Sequence, residues 1–156
     1  MTEGVAHRPS QGYRRLLAFQ AAHDLVKATY EVTSSFPKSE QSGLTSQMRR
    51  AAVSAAANIV EGHAPNSTPL FLRRPATSFG SCKELGYYSG LSQELGYMEG
   101  EGIQRVKRLE GRAAYLINAL IQGLKRRLSA GKVSEPRETA YSLDSLGSSD
   151  SGEARR

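Results

Sequence analysis

Four stretches of this chain repeat apolar residues at helical spacing, with turn-forming clusters between them. In the first, roughly residues 14–34, Leu17, Ala21, Leu25, Ala28 and Val32 recur at steps of three or four, the period of an amphipathic helix. Pro37 and Gly43, within SSFPKSEQSG, end it. The second is LTSQMRRAAVSAAANIVEG, residues 44–62. Gly62 suits the left-handed residue that follows a helix, and Pro65 cannot continue one. A third helix is expected over residues 67–95, with Ser67 as N-cap and Pro69 in the first turn. Its pattern is the weakest. Pro75 interrupts it, and Gly80, Gly86 and Gly90 follow; in a helix interior Pro costs about 3 kcal/mol and each Gly about 1 relative to Ala. Either the helix kinks near Pro75 or it begins after it, and Gly80 reads as a point where a neighbouring helix comes close. The fourth, about residues 103–128, sets Ile103, Val106, Ala113, Ile117, Leu120, Leu124 and Leu128 on one stripe.

No alternating, strand-like run occurs. Long helices with short connections predict an all-α fold, an antiparallel up-and-down four-helix bundle over residues 13–128. Residues 129–156 are rich in Ser, Gly and Glu and poor in apolar residues. Such a segment cannot bury enough surface to offset its ordering entropy. It is expected to be disordered, as is the arm of residues 1–12.

The second helix carries more information than its alanines suggest. At ~100° per residue, Gln47, Arg50, Ser54, Asn58 and Glu61 share an arc of about 80°. Leu44, Met48, Ala51, Ala52, Ala55 and Ile59 form the face expected to meet the core. A third arc holds Val53, Ala56, Ala57 and Val60, interrupted by Ser46 and Arg49. A helix apolar on two sides is covered on two sides, so this arc is the expected homo-oligomer interface. For the polar stripe there are two readings. Asn58, Ser54 and Gln47 satisfy hydrogen bonds between helices while Arg50 and Glu61 pair with charges, or the stripe lines a shared channel. The small residues Ala51, Ser54 and Ala55 favour the first.

Charge adds a surface to this picture. The net charge is +6 and the pI about 9.7, and the basic excess lies within residues 13–128. Arg105, Arg108 and Arg112 follow one arc of the fourth helix, and Lys125, Arg126 and Arg127 end it. Arg14, Arg15 and Arg49 add to the set. Such a face is expected to bind RNA or DNA through its phosphates, with counterion release supplying affinity. Tyr13, Tyr30, Tyr87, Tyr88, Tyr97 and Tyr115 are the candidates for base stacking; recognition of backbone or shape is expected rather than base readout.

Catalytic chemistry finds little support. His7, His23 and His63 are scattered and Cys82 is the single cysteine, so no metal-ligand spacing and no intrachain disulfide arise. Glu61 precedes His63 by two residues, not the three of a di-iron bundle. No phosphate-binding loop or nucleophile motif is present. A non-enzymatic protein with no catalytic residue, no metal and no cofactor is expected. Lone Cys82 and the absence of an apolar leader or an 18-residue apolar run fit a cytoplasmic protein without a membrane partner.

Residues 43–62, GLTSQMRRAAVSAAANIVEG, resemble the signature of the four-helix bundle proteins encoded within 23S rRNA intervening sequences, approximately LTSQ-x-RRA-x-S-x-x-x-NI-x-EG. The similarity continues in FQAAHDLVKATYEVTSSFPKSE and GSCKELGYYSGLSQELGYM and spans roughly residues 13–128. The fold is also similar to the accessory variability proteins of diversity-generating retroelements. That resemblance implies a basic homopentamer, with nucleic acid, a reverse transcriptase or a ribosomal component as partner. The chain departs from the family pattern at Phe19, where an aromatic such as Trp is usual, at Arg74 and Pro75, where an aromatic–aliphatic pair is usual, at Leu70, and in the loop of residues 63–66. Two functions stay open: nucleic-acid binding through the basic face, and a protein-interaction or assembly module without direct nucleic-acid function.

Overall fold

The computed structural model of the protein describes residues 11–63 and 72–131. A 3₁₀ turn at Gln11–Arg15 leads into α1 (Leu17–Thr33), and a second 3₁₀ turn at Lys38–Glu40 precedes α2 (Leu44–Gly62). The remaining elements are α3 (Arg73–Glu94) and α4 (Gly100–Ser129). No strand occurs among the described residues.

Each helix packs chiefly on its two neighbours in a ring, α1 on α2, α2 on α3, α3 on α4 and α4 back on α1. The contacts run in opposite senses. Arg74 meets Asn58, Ser78 meets Ala55, Ser81 meets Ser54 and Ser92 meets Met48, so α3 climbs as α2 descends. Lys83 meets Glu110 and Gln93 meets Lys107 between α3 and α4. Glu31 of α1 meets Arg105 of α4. The arrangement is the up-and-down bundle that the periodicity predicts.

Leu25, Met48, Ile59, Leu85, Ile103, Val106 and Ile117 are its largest fully buried apolar side chains. Alanines fill the space between helices, with Ala21, Ala22, Ala28, Ala52 and Ala55 inaccessible to solvent. Helix ends follow local chemistry. The Glu40 carboxylate accepts the N–H of Leu44 at 3.0 Å, satisfying one of the orphan donors of the first turn of α2. A Cβ on Gly43 would sit 2.7 Å from that carboxylate, so the cap needs glycine there. α3 ends on Gly96 at φ +72°. Its N–H reaches Gln93 O, and that of Tyr97 reaches Ser92 O, the paired bonds of a Schellman motif.

The third helix departs most from its sequence pattern. Ser67 and Pro69, its expected start, lie outside the described residues, as do residues 1–10 and 132–156 of the two expected tails. Gln11 and Gly12 belong to the first 3₁₀ turn rather than to an unstructured arm. Helix α3 starts at Arg73, which puts Pro75 in the first turn, where its missing N–H has no helical partner to lose. No internal Pro kink is needed. Gly80 is not a close-approach point, since a Cβ there would meet nothing within 4 Å. Gly62 is that point instead: a Cβ on it would lie 3.1 Å from Arg74 Cβ and 3.5 Å from Pro75 Cδ. It closes α2 in helical geometry rather than as a left-handed cap. The apolar stripe of α3 was weak in sequence because its buried face is largely hydroxyl. Ser78, Ser81, Ser89 and Ser92 alternate with Cys82 and Leu85, and Ser78, Ser89 and Ser92 donate to carbonyls, Ser78 to Ala55 O at 2.5 Å.

Two outcomes follow for equilibrium unfolding in urea. Gly111→Ala and Gly80→Ala, in open helix interiors, each raise stability by about 0.5–1 kcal/mol, whereas Gly62→Ala lowers it by forcing α2 from α3. Ile117→Ala costs about 2–5 kcal/mol through loss of buried surface and the cavity left behind.

Candidate nucleic-acid interface

The polar stripe of α2 meets α3. Ser54 Oγ and Ser81 Oγ share a hydrogen bond at 2.8 Å. Asn58 Nδ2 donates to Ser54 O at 2.8 Å and to Ser54 Oγ at 3.1 Å. Arg74 Nη1 donates to Asn58 Oδ1 at 3.3 Å and pairs with Glu61 at 3.0 Å; its Nε is buried without a partner. Ser54, Asn58 and Glu61 thus belong to one seam network, with Ser81 and Arg74 as partners the α2 pattern alone did not reveal. Their signal was the three- and four-residue spacing of small residues on α3. Gln47 and Arg50 stand outside it. Arg50 is exposed rather than paired with a charge, because its position on the helix turns past α3 into solvent.

The opposite edge of α2 leans on α1. Arg49 Nε donates to Thr33 Oγ1 at 2.8 Å, and its guanidinium lies 4.7 Å from the Tyr30 ring centroid. This changes the reading of the second apolar arc. Ala56 is only 8% exposed and belongs to the core cluster, because α1 covers that edge; it is not a free interface residue. Val53 is 42% exposed, and Ala57 and Val60 are partly exposed. A surface groove of about 520 Å³ lies along this outward face, lined by Tyr30, Ser46, Arg49, Arg50, Val53 and others.

The arginines of α4 are not equivalent. Arg105 pairs with Glu31 at 2.6 Å and Arg108 with Glu101 at 2.5 Å. Arg112 has no side-chain partner among the described residues. All three line a groove of about 600 Å³ between α1 and α4, together with Asp24, Lys27 and Glu31. Carboxylates dilute the phosphate-binding face expected there.

A larger group of cations without carboxylate partners among the described residues gathers elsewhere. From the Glu31–Arg105 contact, α4 runs ~30 Å to Lys125, while α1 runs back ~21 Å to Leu17 at 1.5 Å per residue. Arg14 and Arg15, just before α1, therefore share an end of the bundle with Lys125, Arg126 and Arg127. The Glu61–Arg74 pair brings the start of α3, with exposed Arg73, to the same end. These six cations are exposed and have no side-chain salt bridge or hydrogen bond among the described residues; Arg14 lies 5.8 Å from the Tyr13 ring centroid. The far end carries Glu40, Glu94, Glu99 and Glu101 against Lys38 and the Arg108 that pairs with Glu101. Of the described tyrosines, Tyr87 and Tyr115 are the most open, at 67% and 73% exposed. Tyr13 packs edge-on against Phe19, and Tyr97 lies tilted against Phe36.

Among the described residues no cluster of His, Cys, Asp or Glu could hold a metal ion, and no helix is long and apolar enough to cross a membrane. Cys82 is buried, and that burial, with Glu110 nearby, pushes its thiol up to about 12. The Tyr88 hydroxyl is also raised, first by its hydrogen bond to Glu84.

Fold and surface together define the class: an all-α four-helix bundle with a hydrogen-bonded α2–α3 seam and one basic end. The chain belongs to the 23S rRNA-intervening sequence protein family, whose model matches residues 14–119. The match takes in α1 to α3 and most of α4 and stops short of Lys125. No curated protein matches the chain.

The Cys82 shift has a signed consequence. Below pH 9 both states keep the proton. Between pH 9 and about 12 the unfolded chain loses it and the folded chain does not, so stability falls with rising pH, by up to about 1.4 kcal/mol per unit. Urea titrations from pH 8 to 11 show this fall in the wild type in excess of that in Cys82→Ser.

Proposed function

We propose that this protein is a non-enzymatic, self-associating bundle that binds RNA or single-stranded nucleic acid through its basic end. The observation that carries this reading is the convergence of unpaired cations from three separate parts of the chain, Arg14–Arg15, Arg73 and Lys125–Arg127, on one end. Cations already matched by Glu31 and Glu101 lose an intramolecular partner before they gain a phosphate; the unmatched ones exchange only counterions. Arg112 extends the surface along α4. Phosphate contact carries little sequence information, so binding through these cations is largely independent of base sequence. Membership of the 23S rRNA-intervening sequence family is compatible with an RNA ligand. Self-association is assigned to the outward face of α2, where Val53, Ala57 and Val60 stay partly open beside the groove at Tyr30.

Fluorescence anisotropy with a labelled single-stranded RNA across a salt series tests the binding. Affinity falls with salt, and Lys125→Gln/Arg126→Gln/Arg127→Gln flattens the log–log slope by roughly 2–3 units at ~0.7–0.9 per phosphate contact. Arg105→Gln/Arg108→Gln changes it less. No binding of RNA or DNA by the wild type at about 50 mM salt overturns the proposal in favour of a protein-interaction module. Sedimentation tests the assembly: Val53→Glu dissociates it at unchanged helicity, and a monomeric wild type at micromolar concentration removes the self-association.

A further inference from the structure

The end of α4 is also where the rest of the chain departs. α4 closes at Ser129 and the described chain leaves through Gly131, directly beyond Lys125, Arg126 and Arg127. The sequence that follows has a charge pattern its near-neutral total conceals. Residues 138–153, ETAYSLDSLGSSDSGE, hold Glu138, Asp144, Asp150 and Glu153 and no Lys or Arg. The tail cations stand outside that run, Lys132 and Arg137 before it, Arg155 and Arg156 after it.

We infer that residues 138–153 dock on the basic end of their own bundle and compete there with anionic ligands. Three observations carry this. The charges are complementary: a run whose only charged residues are acidic follows a bundle end with six exposed cations that lack carboxylate partners among the described residues. The geometry permits it. Six residues, and so seven Cα steps, separate Gly131 from Glu138, a reach of up to ~25 Å when extended at ~3.3–3.6 Å per step. An end face of four packed helices, each about 10–12 Å across, is no wider than that. The acidic run can therefore lie across Arg14, Arg15 and Arg73 as well as its own helix end. The tether also matters, because a link of so few residues gives an effective concentration in the millimolar range. Weak, screened ion pairs suffice for occupancy at that concentration.

The inference rests on the basic end being the nucleic-acid surface only for its functional consequence; the docking itself can be read without any nucleic acid. Ser148→Cys places a nitroxide spin label in the acidic run of the full chain, and the burial of Cys82 leaves the new thiol as the reactive one. At about 50 mM salt the label broadens the amide signals of Arg14, Arg15, Arg73 and Lys125–Arg127. At about 500 mM salt, where the Debye length falls to a few ångströms, the broadening disappears. It is also absent when the labelled chain carries Glu138→Gln, Asp144→Asn, Asp150→Asn and Glu153→Gln. No broadening at low salt, or equal broadening in the neutralised chain, overturns the docking. Broadening of an isotope-labelled chain by a separate spin-labelled chain places the tail on a second copy and overturns its assignment to its own bundle. In RNA anisotropy the neutralised chain binds roughly two- to ten-fold tighter than the wild type. If both bind equally and no broadening occurs, the docking fails while the basic-end reading stands. If the broadening occurs and neither chain binds RNA or DNA, the basic-end reading fails and the docking stands.

Discussion

The close approach of α2 and α3 is the constraint on which the rest of the bundle depends. Small side chains make it possible: Ala51, Ala55 and Gly62 on one helix, Ser78, Ser81 and Cys82 on the other. Backbones this near leave buried polar atoms that water cannot serve. The seam answers with hydroxyls and amides, Ser78 to Ala55 O, Ser54 to Ser81, and Asn58 back onto Ser54. At its open end it finishes in charge, with Arg74 bridging Asn58 and Glu61. The helix register is thereby held by directed bonds as well as by packing, which an alanine-rich interface alone would specify poorly.

The seam also sets the surface. Turning the Asn58 edge of α2 into α3 leaves Ala56 under α1 and directs Val53 outward. Binding α3 antiparallel to α2 brings Arg73 beside the end of α2. Binding α4 antiparallel to α1 brings Lys125–Arg127 level with Arg14 and Arg15. Residues more than a hundred positions apart in sequence become one end of the molecule by topology alone. The same topology collects Glu40, Glu94, Glu99 and Glu101 at the other end.

Much of this was legible in the chain. Leu17 to Val32 and Ile103 to Leu128 announce α1 and α4 because large aliphatic residues keep a clear period. The α2 motif identified both a core face and a polar stripe. Sequence failed where the period was written in small polar residues: Ser78, Ser81, Ser89 and Ser92 are buried, and no core face of α3 had been assigned. It failed at glycines, since Gly62 and Gly80 look alike in sequence and only the neighbouring helix separates a tight contact from open space. It also did not reveal the ion pairs of Arg105 and Arg108, whose partners Glu31 and Glu101 lie on another helix and two turns away. The basic end could not be read from any one segment, because it exists only once three helix termini have been brought together.

The separation of charge between the two ends gives the bundle a permanent electric moment along its axis. A distant polyanion acts on such a body with a torque as well as a pull. If the basic end is the ligand surface proposed above, the molecule turns while it is still diffusing and arrives with the start of α1 and the end of α4 leading. Orientation normally lost to unproductive collisions is then supplied before contact, so this arrangement of charges governs the rate of encounter as well as the strength of the final complex.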